Sequence, residues 1–395
     1  MKTVNEVFEI IEKVARPLPP QVFPILECLD LVAAENLYAP IDVPVFDNSA
    51  MDGYVFGFRD FQNNIPLKIN YTIEAGSPET IVLKEGEAAR IFTGAPIPQG
   101  ADTVVQQEIC VADNGILTFS DEIKPGTHIR KQGSQTQKGS CILEKGNLLT
   151  AEFIGFLATF GVLEIKVYPK PKVGILITGK ELVPAGKPLK TGQIYESNSI
   201  ALRAILKTMS VEVLFNKWID DNPNELLAFI RNEAPKVDVL ILTGGISVGD
   251  FDFVKPVLDQ LNTKEFCYKV KQKPGKPLYF GELGQTFVWA LPGNPGSVMT
   301  CFHVFVKPFL KAIGGQNPFD KKHYGILTNP FHKKPGITQF VNALMENQKI
   351  KIFDSQLSYQ MNSYPQANGY ALLKEGLENF QIGEKVEFIY FGNAH

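Results

Sequence analysis

Cysteine and histidine are scarce in this chain, and their spacing excludes the common sites that depend on them. The 395 residues include five cysteines and five histidines. The cysteines are odd in number and never form a Cys-x-x-Cys pair, which argues against a disulfide framework or a zinc knuckle and favours a reducing compartment. No His-x-x-x-His pair occurs, so the sequence carries no histidine metal signature.

An excess of charge of either sign is also absent. The 39 basic and 42 acidic residues leave a net charge of −3 at pH 7, which disfavours nucleic acid and acidic membrane as partners. No apolar run approaches the ~18 residues that a membrane-spanning helix needs. Residues 1–14 mix Glu6, Glu9 and Glu12 with apolar residues, as an amphipathic helix does and a signal peptide does not. We therefore expect a soluble, cytoplasmic protein.

The length and the 44% hydrophobic content allow several domains, and the pattern of apolar, glycine and proline residues changes along the chain. Residues 1–38 are predicted to be mainly helical. Residues 39–135 contain short β-rich segments between Gly and Pro turns, which predicts an inserted β domain. Residues 136–168 include a helical pattern at 150–161, which we expect to pack beside the N-terminal helix. Those two outer segments would then form one N-terminal helical, linking domain.

Residues 169–318 alternate between strand and helix patterns. Near-continuous apolar strands in such an alternation predict a parallel sheet covered by helices on both faces. The predicted strands are 173–178, 211–215, 237–243 and 287–291, and the predicted helices are 199–209 with Asn198 as N-cap, 224–233, 253–261 and 296–313. Residues 319–395 return to β patterns at 339–344, 349–353, 370–373 and 385–390. The fold class is thus a multidomain α/β and β protein with a central nucleotide-binding type of α/β domain.

Two glycine-rich turns stand at the ends of predicted strands. The first is Thr243-Gly244-Gly245-Ile246-Ser247-Val248-Gly249-Asp250, and the second is Leu291-Pro292-Gly293-Asn294-Pro295-Gly296-Ser297. Such turns bring backbone N–H groups close to a ligand and point a helix N-terminus at it, an arrangement that suits phosphate. Because parallel sheets bind ligands at the carboxyl ends of their strands, two such turns predict a nucleotide-like, multiply phosphorylated ligand.

Carboxylates cluster near the same predicted edge. Glu181 follows the strand 173–178, Asp220-Asp221 follow 211–215, and Asp252 lies beyond the first glycine turn. Together they suit Mg²⁺ held between protein and phosphate, although Asp252 could equally cap a helix and Glu181 could pair with a surface lysine. Asp47 to Tyr54 form an oxygen-rich loop that reads either as a solvated turn or as a site for a metal, an oxyanion's cation or a pterin-like ring.

Basic residues form a second candidate group. Lys269, Lys271 and Lys273 alternate on what reads as an extended segment, and the following Pro-Gly-Lys-Pro turn would aim Lys276 at a fixed point. A solvated edge strand would also explain the alternation. Beside the glycine turns, a clamp for phosphate or oxyanion is the better interpretation. The loops at 93–96 and 130–133 are weaker candidates.

A serine hydrolase is the competing interpretation. Gly245-Ile246-Ser247-Val248-Gly249 matches the Gly-x-Ser-x-Gly nucleophile elbow between a strand and a helix. Against it, Ser247 is separated from the predicted helix by residues 249–252. The downstream histidines are poor partners, since His303 falls in a helix pattern and His395 is the last residue. No Gly-x-Gly-x-x-Gly or Walker A sequence occurs, so dehydrogenase and P-loop readings fail.

The motifs, in their order, resemble one family: the molybdopterin molybdenumtransferases, which include bacterial MoeA proteins and the E domain of gephyrin. The resemblance spans nearly the whole chain, and eight motifs in register make it specific. They are 47–54, Thr93-Gly94-Ala95-Pro96-Ile97-Pro98, Arg130 with Gly133, Thr178-Gly179-x-Glu181-Leu182, Gly192-Gln193-Ile194-Tyr195-x-x-Asn198, Gly244-Gly245-x-Ser247-x-Gly249-x-x-Asp252, 273–277 and 291–295.

This resemblance implies an activity and a set of site residues. The implied enzyme cleaves the phosphoanhydride of adenylylated molybdopterin in a Mg²⁺-dependent step and inserts molybdate at the dithiolene, releasing AMP. Catalytic residues would be Asp52, Glu181, Asp252, Lys273 and Lys276, with Asp52, Glu181 and Asp252 on the metal. Substrate-binding residues would be Asn48, Ser49, Thr93, Arg130, Asp221, Gly244, Gly245, Ser247, Lys269, Pro292, Gly293, Asn294, Pro295 and Ser358.

The resemblance also implies an elongated homodimer whose site forms between subunits, with the Asp52 loop of one protomer facing the α/β domain of the other. A molybdopterin adenylyltransferase and molybdoenzyme apoproteins would be further partners. Two departures stand out: Gly133-Ser134-Gln135 replaces the family's Gly-Glu-Asp, and Lys180 replaces an aspartate. A non-catalytic, cofactor-binding or scaffold paralogue is therefore an alternative. We expect activity to persist, because Asp52, Glu181 and Asp252 remain.

Overall fold

The computed structural model describes residues 1–77, 80–120, 122–220, 222–246, 253–319, 322–354 and 356–392. Its α-helices are α1 Val4–Val14, α2 Phe58–Gln62, α3 Ala151–Ala158, α4 Asn198–Thr208, α5 Pro223–Glu233, α6 Val254–Gln260, α7 Pro295–Cys301 and α8 Lys307–Ile313. A π-helical turn, Phe302–Val306, joins α7 to α8. Short 3₁₀ turns lie at Ile25–Cys28, Gln107–Ile109 and Ala234–Lys236.

Among the described residues, 18 of the 29 strands form three six-stranded sheets, and the others form smaller sheets. In chain order they are β1 Gln21–Pro24, β2 Val32–Ala33, β3 Leu37–Tyr38, β4 Asn48–Ser49, β5 Gly53–Phe56, β6 Leu67–Ile73, β7 Glu87–Ile91, β8 Thr103–Gln106, β9 Cys110–Asp113, β10 Ile116–Phe119, β11 Ile129–Arg130, β12 Cys141–Leu143, β13 Glu164–Tyr168, β14 Val173–Thr178, β15 Leu182–Val183, β16 Ile194–Tyr195, β17 Val213–Ile219, β18 Val239–Thr243, β19 Lys264–Tyr268, β20 Gln272–Lys273, β21 Tyr279–Leu283, β22 Thr286–Leu291, β23 His323–Leu327, β24 Phe331–His332, β25 Thr338–Glu346, β26 Lys349–Ile352, β27 Gly369–Leu373, β28 Asn379–Phe380 and β29 Lys385–Tyr390.

The chain divides into two compact units. The first contains residues 1–22, 30–34 and 166–395, and the second contains residues 23–29 and 35–165. The division into four domains made from the sequence is finer than this and stays a prediction. The expectation that residues 1–38 are mainly helical is wrong, because after α1 the backbone forms a 3₁₀ turn and the short strands β1, β2 and β3. Four prolines, Pro17, Pro19, Pro20 and Pro24, explain this, since proline removes a helix donor.

The central sheet of the first unit has the order β17-β14-β18-β22-β21-β19. The four strands β17, β14, β18 and β22 are parallel, as predicted, and their middle members are buried throughout. The strands β21 and β19 were not predicted and run antiparallel at one edge. Buried side chains lie on both faces of the sheet, in separate clusters that include Ile175 and Phe305 on one and Leu176 and Leu258 on the other.

The helices of this unit differ from the predicted helices in two respects. Ser197, not Asn198, occupies the N-cap of α4, and the side chain of Asn198 bonds elsewhere. Asn222 is the N-cap of the next helix, α5, where its side chain accepts hydrogen bonds from the backbone N–H groups of Asn224 and Glu225. The single helix predicted over 296–313 begins at Pro295 and widens to a π turn at its centre.

The remaining six-stranded sheets are all-β in character. In the first unit, β20-β25-β26-β23-β29-β27 form the C-terminal β region, closed by an extra β25–β27 pairing. In the second unit, β8-β5-β7-β6-β10-β9 form the predicted inserted β domain. Among the described residues, no helix is long and apolar enough to cross a membrane.

Candidate active site

A cleft of about 690 Å³ opens at the carboxyl ends of the parallel strands of the first unit. Its walls are the segments that follow β14, β18 and β22, the loop 272–277 and residues 357–359. These are the strand ends where the sequence placed both glycine turns and Glu181. The prediction that they share one edge of the sheet is confirmed, because the three strands are parallel and in register.

The first glycine turn depends on close backbone packing. Gly244 has φ +89°, and a Cβ there would lie 2.5 Å from the carbonyl oxygen of Thr178. Gly245 has φ +58°, and its Cβ would lie 2.9 Å from Cγ2 of Val254. The N–H of Gly244 donates to the carbonyl of Leu291 at 3.1 Å, which ties the two glycine turns together. Only glycine fits here, so the backbone itself forms this part of the wall.

Glu181 projects from the turn after β14. Gly179 adopts φ +143°, and both carboxylate oxygens of Glu181 lie 3.0 Å from where a Gly179 Cβ would stand. The carbonyl of Glu181 accepts from the N–H of Ile194 at 2.9 Å, so the backbone of this segment is fixed by the β15–β16 pair. Glu181 is exposed and, within the part of the chain that is described, forms no ion pair. Its carboxylate is available to a ligand or a cation.

The second glycine turn is fixed from two sides. Asn198 donates from Nδ2 to the carbonyl of Gly293 at 2.8 Å, and Asn294 donates from Nδ2 to the Oγ of Ser358 at 3.0 Å. The N–H of Gly296 donates to the carbonyl of Ser358 at 2.9 Å, where a Cβ on Gly296 would clash at 2.8 Å. Ser358, predicted from the resemblance alone, therefore lies in the same cleft as the turn.

The loop 272–277, which carries Lys273 and Lys276, is fixed by hydrogen bonds from buried side chains to its backbone. Gln272 is 2% exposed and donates from Nε2 to the carbonyls of Pro274 and Gly275 at 3.2 and 3.1 Å. The thiol of Cys301 donates to the Gly275 carbonyl at 3.6 Å, and burial raises its pKa far above the ordinary range, so it stays a thiol. Lys273 and Lys276 are exposed above this support and line the cleft.

Lys269 does not line the cleft as Lys273 and Lys276 do. The prediction of one extended segment is wrong, because Lys269 adopts φ +65° and the chain reverses there. The N–H of Lys269 donates to Leu278 and its carbonyl accepts from Lys2, so backbone pairing with the N-terminus breaks the alternation. The Nζ of Lys269 lies 4.6 Å from the ring centroid of Tyr268, outside the cleft.

The second unit holds a separate polar loop that contains Asp52. Its Oδ1 accepts from the N–H and the hydroxyl of Thr93 at 2.8 and 2.6 Å. These two bonds, with the nearby Arg90 guanidinium, lower the pKa of the exposed Asp52 carboxyl. Arg90 itself donates to the carbonyl of Gly53 and to Gln107, so the loop is braced on both sides.

Asn48, Ser49 and Arg130 lie in the short pair of β4 with β11, where Asn48 faces Arg130. Ser49 is fully buried and its hydroxyl donates to the carbonyl of Met51 at 2.6 Å. The Nδ2 of Asn48 donates to Phe46, whereas its buried Oδ1 has no hydrogen-bond partner among the described residues. Arg130 is exposed, as are Ser134 and Gln135 in the turn that follows.

Three predicted site residues, Asp221, Ser247 and Asp252, lie outside the described residues. Within the described ranges, no group of three or more His, Cys, Asp or Glu side chains is placed to hold a metal ion. The hydrolase interpretation finds no support in His303. Burial lowers the pKa of that imidazole to about 3, and its ring lines a different cavity from the cleft.

Sequence reasoning missed the residues that support the site. Gln272 and Cys301 are 29 positions apart, and no local pattern links them to the lysine turn. Glu196 is 8% exposed and accepts from the N–H and hydroxyl of Ser199 at 2.7 Å each, which anchors the start of α4 and with it Asn198. The spacing Glu196-x-x-Ser199 before a helix was the available signal.

Three family models match the chain: "MoeA N-terminal region (domain I and II)" over residues 2–161, "Probable molybdopterin binding domain" over 174–312 and "MoeA C-terminal region (domain IV)" over 324–391. The middle match contains the sheet and two glycine turns that line the cleft, and the third contains Ser358. The family models leave residues 162–173 and 313–323 between their matches, and the first model covers residues 2–161 without a break.

Curated relatives and solved structures agree with those models. A molybdopterin molybdenumtransferase of Haemophilus influenzae is 35% identical over 96% of this chain and 95% of its own length. One of Bacillus subtilis is 32% identical over 90% and 86%. A molybdopterin biosynthesis MoeA protein structure from Pyrococcus horikoshii shares 30% identity, with a TM-score of 0.85 and 99% of each chain covered. On this evidence the chain belongs to the family of the molybdopterin molybdenumtransferases, the MoeA proteins.

Proposed function

We propose that this chain catalyses molybdate insertion into molybdopterin. It would cleave the phosphoanhydride of adenylylated molybdopterin, release AMP and attach molybdenum at the dithiolene sulfurs. The observation that carries the proposal is the cleft itself, where two glycine turns, the lysine pair Lys273 and Lys276, and the Glu181 carboxylate converge at one edge of the sheet. That set of groups matches a substrate with a pyrophosphate and an oxyanion.

The cleft would bind the substrate mainly through backbone and amide groups. Gly244, Gly245 and the segment 292–295 bring the backbone close enough to contact phosphate oxygens. Ser358 and Asn294, joined by a hydrogen bond, offer further polar contacts in the cleft. Lys273 and Lys276 would stabilise negative charge on the pyrophosphate and on molybdate, because they stand exposed on a loop whose backbone is fixed.

The donor set fits Mg²⁺ better than a metal that requires a cage of protein ligands. Mg²⁺ keeps several waters and is usually bound by one or two carboxylates together with substrate phosphates. The described part of the cleft offers one such carboxylate, Glu181, and we propose that Asp252 and Asp52 complete the set. When bound, the ion would neutralise charge on the phosphate oxygens. The lysines and backbone N–H groups would position the anhydride for hydrolysis by water.

We also propose that the active unit is a homodimer, in which the Asp52 loop of one protomer serves the cleft of the other. The pattern of hydrogen bonds is compatible with this role, since Thr93 orders Asp52 through Oδ1 alone. Mixing inactive Asp52→Asn and Glu181→Gln homodimers tests it. Because one site of each heterodimer carries both wild-type groups, AMP release should return after subunit exchange. No recovery, with exchange verified, would place both groups in one protomer's site.

The direct test is AMP release from adenylylated molybdopterin by the purified protein, with and without Mg²⁺ and molybdate. We expect release that molybdate stimulates and that Glu181→Gln and Asp252→Ala each lower by about 10²–10³. The matched control is Glu233→Gln, a surface carboxylate paired with Lys236. Tight binding without release would indicate that Gln135 and Lys180 have turned the chain into a cofactor-binding paralogue. Absence of binding would contradict the proposal.

A further inference from the structure

A second cavity, of about 740 Å³, lies in the first unit and shares no lining residue with the cleft. Its walls come from α1, the π turn and α8, and the strands β23 and β29. The volume falls in the range that binds small organic molecules. The function proposed above uses none of its residues, so the polar groups inside it have no assigned role.

The floor of this cavity carries a buried ammonium group. Lys307 is 9% exposed, and its Nζ donates to the carbonyl of Phe391 at 2.6 Å. An ammonium has three donors, and no second bond or ion pair to it exists among the described residues. Burial and the neighbouring Lys311 lower the pKa of Lys307 to about 8. A buried cation without an anion is unusual, because burial penalises charge that is not paired.

His303 stands one helical turn from Lys307 and is also unsatisfied. Its side chain is 4% exposed, and Nδ1 has no hydrogen-bond partner within the described ranges. The imidazole stacks on Phe391 with ring centroids 4.8 Å apart. Since its pKa falls to about 3, the ring is neutral at physiological pH and can donate or accept one hydrogen bond at each nitrogen.

The rest of the cavity supplies aromatic side chains and a rim of mixed charge. Phe8 and Phe319 pack with centroids 4.8 Å apart on one side. The rim carries three carboxylates, Glu9, Glu12 and Glu387, and two lysines, Lys311 and Lys322, so it has one excess negative charge that Lys307 of the floor offsets. Lys322 approaches Glu387 at 3.9 Å. Rim charges are screened by water, whereas the charge on Lys307 acts in a lower dielectric.

We propose that this cavity is a binding site for a small organic carboxylate with a flat, apolar body. The carboxylate would accept hydrogen bonds from the free donors of Lys307 and from His303, and the body would pack against Phe8 and Phe319. A charge-assisted bond inside a partly dry pocket is about twice as strong as a neutral one. A carboxylate both accepts hydrogen bonds here and neutralises the ammonium of Lys307, whereas a neutral ligand leaves that charge unpaired and a cationic ligand repels it.

The test uses three isosteric probes that differ in charge: 4-fluorobenzoate, 4-fluorobenzamide and 4-fluorobenzylamine, followed by fluorine NMR on the full chain. We expect the benzoate to bind at least about ten-fold more tightly than the benzamide, as one charge-assisted bond provides. The benzylamine should bind weakest. Equal binding of all three, or preference for the benzylamine, would overturn the proposal, because the positive charge on Lys307 would then not decide selectivity.

Two variants test which side chains produce the preference for the benzoate. Lys307→Met keeps the length and packing of the side chain but removes the charge, so it should abolish preference for the benzoate over the benzamide. His303→Phe keeps the ring stacked on Phe391 and should weaken benzoate binding by a smaller factor. Lys264→Met, an exposed lysine of β19, is the matched control and should change nothing. Unchanged preference in folded Lys307→Met protein, checked by its melting temperature, would also overturn the proposal; if that variant does not fold, His303→Phe decides.

Discussion

The cleft of the first unit and the loop 47–52 of the second unit differ in whether their charged side chains already have bonding partners. In the loop, each carboxylate is already bonded: Asp52 accepts twice from Thr93, and Asp47 accepts from Lys131 and from the backbone of Gln132. Both have lowered pKa values for that reason. In the cleft, Glu181 and the lysines of the 273–277 loop form no ion pair within the described residues.

The difference indicates how each region contributes to function. Charges without partners are available to the substrate, so the cleft is where binding and transition-state stabilisation are expected. Bonds to Asp47 and to Oδ1 of Asp52 fix the shape of the loop, whereas Oδ2 of Asp52, which accepts no hydrogen bond within the described residues, serves the metal role proposed above. Support in the cleft comes instead from neutral groups beneath it, such as Gln272 and Asn198, which hold carbonyls of the two loops without neutralising the charge above.

The largest effect is expected from removing charge in the cleft. Lys276→Met and Glu181→Gln should each lower kcat for AMP release by about 10²–10³, the usual cost of losing one preorganised electrostatic contact. The matched control is Lys187→Met, an exposed lysine that does not line the cleft. Steady-state kinetics at saturating Mg²⁺ measure both. A change in KM alone would mean that these groups bind substrate equally in its ground and transition states.

The next largest effect is expected at the first glycine turn. Gly244→Ala combines a positive φ with a Cβ 2.5 Å from the Thr178 carbonyl, so the turn must move. We expect a loss of about 1–3 kcal/mol in stability and weaker binding of AMP-linked substrate. Gly186→Ala is the control, since Gly186 also has positive φ, at +86°, but open space around it. Equal melting temperatures and substrate affinities in the two variants would show that contact at Thr178 is unimportant.

The sequence predicted most of the cleft because its main features are local. A glycine turn after an apolar strand fixes its own geometry, and parallel strands then bring separate turns to one edge. Supports made across the chain were not predictable. Gln272 reaches Cys301 across 29 positions, and the reversal at Lys269 depends on pairing with Lys2, which no local period encodes. The strands β19 and β21 were missed because β19, at the edge of the sheet, is largely exposed and β21 is buried over only its first three residues, so neither forms a continuous apolar run.

A smaller effect is expected from loosening the Asp52 loop. Thr93→Val removes the hydroxyl that is the largest cause of the lowered Asp52 pKa but keeps the backbone bond. Because a depressed carboxyl pKa keeps the group ionised to lower pH, the acid limb of the pH–rate profile should move to higher pH in the variant. The rate near neutral pH should fall by about ten-fold or less, the worth of one charge-assisted hydrogen bond. An unchanged acid limb would mean that Asp52 ionisation does not govern the reaction.

The smallest effect is expected from Lys131→Met. Its pair with Asp47 is exposed, with 64% and 37% of the two side chains accessible, and such pairs contribute below about 1 kcal/mol to stability. Asp47 would keep the 2.7 Å bond from the N–H of Gln132, so the loop should hold its shape. AMP release should therefore stay within about two-fold of wild type. A loss as large as that of Lys276→Met, in a variant with an unchanged melting temperature, would show that Lys131 contacts the substrate. The Lys131–Asp47 pair would then take part in the reaction as directly as the unpaired charges of the cleft.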